Sequence, residues 1–226
     1  MCSSDLISGG SARYVEKLTA DFRSRIRVDT PVEEVRRTAE GVLVKPRGAD
    51  AERFDYAFIA CHSDQALRLL ADPSPLEQEI LGAIGYQENE AVLHTDTALL
   101  PRRKLAWAAW NYHVLPQAGT RVALTYNMNI LQSLTSRNTF CVTLNRSESI
   151  APERIIRRLS YDHPLFTPAA VAAQQRQHEI NGANLSYYCG AYWRFGFHED
   201  GVVSALNALQ HFERNLHAQR DLSRVA

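Results

Sequence analysis

Three histidine–carboxylate pairs punctuate the chain: His62 with Asp64, His94 with Asp96, and His198 with Asp200. Histidine and carboxylate side chains together can hold a metal ion, and a convergent set would make a hydrolytic centre. The pairs are far apart in sequence, and each sits at an expected strand end or loop, where polar residues are common. Asp64 has a simpler use as a helix cap, so no metal site is expected. Cys189 precedes Gly190 in an apolar run and reads as a small buried residue, and no G-x-S-x-G motif offers a serine nucleophile. The strongest chemical feature is made of backbone. Residues 185–189 form an apolar strand, Gly190 ends it, an aromatic loop follows, and Gly201 opens an apolar-periodic helix. A strand, a glycine loop and a helix start present bare N–H groups to an anionic or electron-rich ligand.

Those groups need a frame, and the pattern predicts an α/β one. A helix is expected over 7–18 after Gly9-Gly10, with Tyr14, Val15 and Leu18 on one face and Ser8 or Ser11 as cap. Strands are expected at 25–28, 30–37 and 41–45, with a turn at 48–50. The apolar run 54–61 suits one buried strand leading into a helix over 65–70, capped by Ser63 or Asp64. A helix follows over 76–84. Strands at 91–96, 105–112, 121–127 and 139–145, with a helical turn over 128–134, predict an antiparallel second lobe. Helices are expected over 152–159 and 168–180, the second opened by Pro168 and ended by Asn181-Gly182.

Composition narrows the function classes. The 226 residues carry no net charge, which gives no electrostatic case for nucleic acid or an anionic membrane as main partner. The four cysteines show no paired spacing, so reduced thiols and a cytoplasmic location are expected. No apolar run is long enough to span a membrane, and peripheral contact with the inner membrane face stays open. Residues 1–6 match one reading frame of a sequencing adapter; we take them as an assembly artefact that cuts off an upstream segment. No G-x-G-x-x-G occurs, so this sequence carries no dinucleotide fingerprint.

Four stretches in register resemble the C-terminal half of flavin-containing amine oxidase-type proteins, a superfamily that includes protoporphyrinogen oxidases and carotenoid desaturases. Gly9-Gly10-Ser11 with Tyr14, Val15 and Leu18 resembles its GG-x-x-x-L helix. Pro31-Val32-Glu33-Glu34-Val35 resembles its P-V-x-x-I strand, and residues 54–61 its D-x-V-I-x-A strand. Gly190 with Gly201-Val202-Val203-Ser204-Ala205 resembles its closing motif. The wording SDQAL, LHTD, AWNY and FHEDG is similar to a bacterial subgroup described as predicted NAD/FAD-binding proteins.

The resemblance implies a two-lobed α/β FAD-dependent oxidoreductase with an incomplete Rossmann-type FAD lobe and an antiparallel-sheet substrate lobe. It divides the chain into 7–70 (part of the FAD lobe), 71–184 (substrate lobe with helices) and 185–226 (closing strand and helix). Val32 falls where backbone meets the adenine end of FAD. Gly190 falls near the ribityl and phosphate region, and Ala191 where many relatives carry an acidic residue that bonds the ribityl. Gly201, Val202 and Val203 fall under the flavin pyrimidine edge. Trp193, Tyr192, Trp110 and Asn111 are the expected substrate-lining residues; no catalytic residue is assigned. The implied activity is oxidation or desaturation of a small organic substrate, an amine or an apolar lipid-like molecule, with the chain inactive alone because the phosphate site is missing. The alternatives are a non-catalytic flavin- or nucleotide-binding module and, third, a metal-dependent hydrolase.

Overall fold

The computed structural model describes residues 12–114 and 121–225. The segments Met1–Leu6 and Gly9-Gly10-Ser11, with the readings placed on them, lie outside the described residues. The chain forms two compact units, one from residues 12–26 and 88–163, the other from 27–87 and 164–225. The boundaries expected at 70/71 and 184/185 thus fall at 87/88 and 163/164, with a further division at 26/27.

In chain order the elements are α1 (Ala12–Thr19), β1 (Val32–Thr38), β2 (Gly41–Pro46), β3 (Glu52–Phe54), β4 (Ala57–Ile59), α2 (Ser63–Leu69), α3 (Pro75–Gly82), β5 (Tyr86–His94), β6 (Trp110–Tyr112), β7 (Leu124–Asn127), α4 (Met128–Leu131), β8 (Cys141–Leu144), β9 (Ile155–Pro164), α5 (Pro168–Gln174), α6 (Gln177–Ile180), β10 (Ser186–Tyr188) and α7 (His198–Val225).

The 27–87/164–225 unit holds the antiparallel sheet β1–β2–β3 and a parallel pair, β4 with β10. Its core is Val35, Val42, Ile80, Leu81, Ile84 and Ile180, joined by Tyr188, Tyr192 and Trp193. α3 starts as its sequence dictates: Ser74 Oγ accepts from Glu77 N–H, the Glu77 carboxylate accepts from Ser74 N–H, and Pro75 opens the first turn. The other unit is built on the antiparallel sheet β6–β7–β8–β5–β9, with Val92, Leu99 and Ile150 as its apolar centre. No described helix is long and apolar enough to cross a membrane.

Several expected elements change. Residues 25–28 form no strand: a 3-10 turn ends at Arg25, Asp29 takes φ 52°, and Val28 is exposed, so no sheet edge is there to pair with. The run 54–61 is two strands. Phe54 closes an antiparallel pairing with Val42, whereas Phe58 pairs in parallel with Tyr187. A continuous apolar run cannot reveal a change of sheet at Asp55. The expected strand 105–112 is a strand only over β6; Leu105 lies in a 3-10 turn, fully exposed. The expected helix 152–159 is one 3-10 turn followed by β9, because the Pro152 start signal is spent before β-branched Ile155 and Ile156 favour a strand. The helix 168–180 breaks into α5 and α6. The residue preceding α2 as its cap is His62, whose N–H donates to Gln65 Oε1 at 3.2 Å; Asp64 pairs instead with Arg68 at 2.6 Å.

Candidate functional site

The parallel pair β4–β10 aligns Ser186 with Ala57 and Tyr188 with Ile59, and Cys189 N–H extends it to Ile59 O at 3.1 Å. It stops at Gly190. There φ is 158° and a Cβ would lie 2.5 Å from the Tyr192 ring, so no side chain fits. The Gly190 N–H donates to Ser204 Oγ at 2.8 Å, and the Ser204 hydroxyl donates to Gly201 O at 2.8 Å. A Cβ on Gly201 would sit 3.9 Å from Ala191 Cβ. Gly190, Ala191 and Gly201 are thus brought together, with Ser204 as the latch. Gln177 Nε2 donates to both Tyr188 O (2.9 Å) and Ser204 O (3.2 Å), tying α6, β10 and α7. Sequence reasoning assigned no site role to Ser204 or Gln177. A hydroxyl three positions after Gly201 was the available signal for the first; nothing in the local pattern marks the second.

The helix start is displaced from expectation. α7 begins at His198, one turn before Gly201, and Gly201 N–H already donates to Phe197 O at 3.2 Å. The amides without an intrahelical acceptor are therefore those of His198, Glu199 and Asp200. The buried Asp200 carboxylate folds back, its Oδ2 accepting from Phe195 N–H (3.2 Å) and Phe197 N–H (3.0 Å). A carboxylate here interacts favourably with the helix dipole, by about 0.3–1 kcal/mol. It also competes with any anionic ligand. Val202 is exposed. Val203 lines a cavity of about 330 Å³ with Trp193, Gln174, Gln177 and His211.

Val32 opens β1, half-buried against the core that holds Tyr188, Tyr192 and Trp193, with a bulge between it and Glu34. Tyr192 and Trp193 are 4% and 3% exposed, with ring centroids 5.0 Å apart. Tyr192 and Trp193 interact with each other, and neither Tyr192 Oη nor Trp193 Nε1 makes a regular hydrogen bond to any other described residue. Trp110 and Asn111 belong to the other unit. Trp110 packs edge-on to Tyr126 at 5.2 Å. Buried Asn111 braces the chain, donating to Ala108 O (2.7 Å) and Thr125 O (3.1 Å). Burial pushes the Cys61 and Cys189 thiols up and Cys141 to about 11, so none is a ready thiolate.

The three carboxylates of the histidine–carboxylate pairs, with His62 and His94, have structural work. His62 stacks on Tyr86 at 4.5 Å. Asp96 accepts from Ala98 N–H and Ala151 N–H, and Asp200 is engaged as above. Among the described residues no three metal-binding side chains converge. Buried His94 instead starts a polar chain across β5, β8 and β7. Its Nδ1 accepts from Asp96 N–H, so its Nε2 carries the hydrogen and donates to Thr143 Oγ1 at 2.7 Å. Thr143 and Thr125 hydroxyls meet at 2.8 Å, and Thr125 meets His113 Nε2 at 2.8 Å. His113 Nδ1 accepts from Arg146 Nη1 at 2.8 Å, so its Nε2 is also a donor. Both imidazoles are locked neutral: a second proton on either would face a donor. Their pKa values are lowered, His94 by burial and His113 by burial and then Arg146.

A family model described as flavin containing amine oxidoreductase matches residues 2–117, just over half the chain. The chain belongs to that family. Its cofactor is FAD, and its fold is that of the FAD-dependent amine oxidases and mutases. Solved structures agree. The fatty acid isomerase from P. acnes that produces CLA superposes with TM-score 0.63 and 12% identity over 90% of this chain and 52% of that one. Cyclohexylamine oxidase from Brevibacterium oxydans IH-35A gives 0.60, 12%, 92% and 53%. Reduced UDP-galactopyranose mutase gives 0.61, 12%, 93% and 52%. The chain spans about half the length of the structures it matches. No curated protein matches the chain.

The residues present fit the ring end of a flavin. Gly190 and Ala191, with no side chain beyond Cβ, lie beside the first turns of α7, and the free amides of that turn suit an electron-rich ring edge. Two buried polar atoms with no regular hydrogen bond, Tyr192 Oη and Trp193 Nε1, follow on the same loop.

Proposed function

We propose that this chain supplies the ring-facing part of the FAD site in an oxidoreductase acting on a small organic molecule. The observation that carries the reading is the latch: Ser204 holds the Gly190–Ala191 loop against Gly201 at the start of α7. In this reading the flavin lies against the backbone of Gly190, Ala191 and Gly201, and Val202 and Val203 flank it. The amides of His198 and Glu199, rather than that of Gly201, meet its pyrimidine edge, and Val32 meets the adenine end. Bound flavin supplies two-electron redox chemistry. The chain's own residues orient it and keep water out, with Tyr192 and Trp193 walling the loop and Trp110 and Asn111 as contributions to the substrate side. The substrate class is an amine or an apolar lipid-like molecule; by their names, two solved relatives act on a fatty acid and on a cyclic amine. A cytoplasmic location accords with the unpaired cysteines.

Asp200 favours a second reading, a non-catalytic flavin-binding module. Its buried carboxylate at the helix start opposes the negative charge of reduced flavin. Titrating the purified chain with FAD and with lumiflavin, followed by flavin fluorescence, tests the site. Quenching of both flavins, weakened in Ser204→Ala, is expected. Lumiflavin fluorescence that the protein leaves unchanged would remove the proposal. A bound flavin with a potential shifted strongly negative would favour the module.

A further inference from the structure

A cavity of about 470 Å³ lies within the 12–26/88–163 unit, between the turn at 97–101 and the end of β6. That volume is within the usual range for small-molecule sites, about 300–1,000 Å³. One wall is apolar, formed around Leu100, and ends at Arg102. The other carries Tyr112, His113, Arg146 and Ser149. None of the described lining residues is acidic. Arg146 is half-buried and spends two of its donors on neutral acceptors, His113 Nδ1 at 2.8 Å and Ser149 Oγ at 3.2 Å. Neither Arg146 nor Arg102 forms an ion pair among the described residues.

A guanidinium has five N–H donors in a fixed fork, so Arg146 retains donors suited to a planar or tetrahedral oxyanion. His113 adds no charge, because its Nδ1 is held as an acceptor. The cavity therefore carries two uncompensated positive charges beside an apolar wall. Charge of one sign in a concave, partly dehydrated site attracts its counter-ion strongly. We propose that this cavity binds an organic anion, a carboxylate or phosphate monoester on a short apolar chain. Arg146 takes the head group, Arg102 the long-range charge, and the Leu100 wall the chain. The proposal uses no residue of the Gly190–Gly201 loop, and its failure would leave the flavin-loop reading untouched.

Calorimetric titration of the full chain with octanoate, monooctyl phosphate and 1-octanol tests this. At least one anion should bind about tenfold or more tighter than the alcohol, the difference expected of one charge-assisted contact. Whichever anion is the tighter names the head group. Arg146→Gln should abolish the preference for anion over alcohol. Arg102→Gln, a change at an exposed side chain with no hydrogen bond or ion pair among the described residues, should weaken anion binding about threefold and leave the alcohol titration unchanged. Arg102→Gln carries the test should Arg146→Gln misfold. Alcohol binding equal to both anions, or anion binding unchanged in Arg102→Gln and in folded Arg146→Gln, would overturn the site.

Discussion

Arg37 and Glu77 meet as a two-pronged ion pair, Nη1 to Oε1 at 3.0 Å and Nη2 to Oε2 at 2.8 Å, with both side chains almost wholly buried. Tyr188 Oη donates to Glu77 Oε1 at 2.5 Å, and Arg37 Nε reaches Asp72 at 3.0 Å. β1, α3 and β10 are joined at one point.

Removing one partner of such a pair leaves a buried charge, at a cost of about 3–5 kcal/mol. Glu77→Ala should therefore lose about that much unfolding free energy, read as a lower urea midpoint. Burial pushes the Glu77 carboxyl up, but Arg37, Tyr188 and Ser74 hold it below its ordinary 4.5 overall. Its contribution is full above 4.5 and is lost as pH falls through the lower folded value. The acid limb of the stability curve should flatten in Glu77→Gln.

His94 and His113 give a slope nearer neutrality. Both are held below their ordinary 6.5, so the unfolded chain takes up protons first. Stability should fall as pH drops below about 6.5 and level off only beneath the folded values. A melting temperature that stays constant between about pH 7 and 5 would contradict the neutral His–Thr–Thr–His chain.

At Gly190 a Cβ would penetrate the Tyr192 ring at 2.5 Å. Tyr192 is buried and has nowhere to swing, so Gly190→Ala should cost about 1–3 kcal/mol. Gly182 is the contrast. Its φ of +90° strains any replacement, but the atom met there ends the Asn215 side chain, which can move. Gly182→Ala should cost about 1 kcal/mol, mostly from backbone. Thermal denaturation of the two variants separates the mechanisms.

Ser204→Ala removes the acceptor from Gly190 N–H. The loss is about 1 kcal/mol of stability. Loosening of the loop should show as weaker quenching of FAD fluorescence. Ser204→Thr keeps the hydroxyl and should restore both. Equal loss in both variants would assign Ser204 to packing alone.

Much of this frame was legible. The alternation at 32–37, the helix expected over 76–84 and the Asn181-Gly182 stop rest on local signals, and each appears close to where the residues ask for it. What failed depended on partners. Nothing around Asp55 records that Phe54 and Phe58 belong to different sheets. The Pro152 signal is real but one turn long. At the site, glycine at 201 suggested a helix start, yet the first turn is set by Asp200 reaching back to Phe195 and Phe197. The buried ion pair was invisible because Arg37 and Glu77 look like surface residues until β10 supplies Tyr188.

Arg37 and Tyr188 stand 151 positions apart, and the whole of 88–163 is threaded between the two halves of their unit. During synthesis, β1, β2 and α3 leave the ribosome with the Arg37–Glu77 charges in place and no β10 to cover them. The intervening sheet emerges complete before that cover arrives. Long-range closure of this kind slows folding, and it makes residues 27–87 a nascent surface that waits in an open state for the last segment to be made.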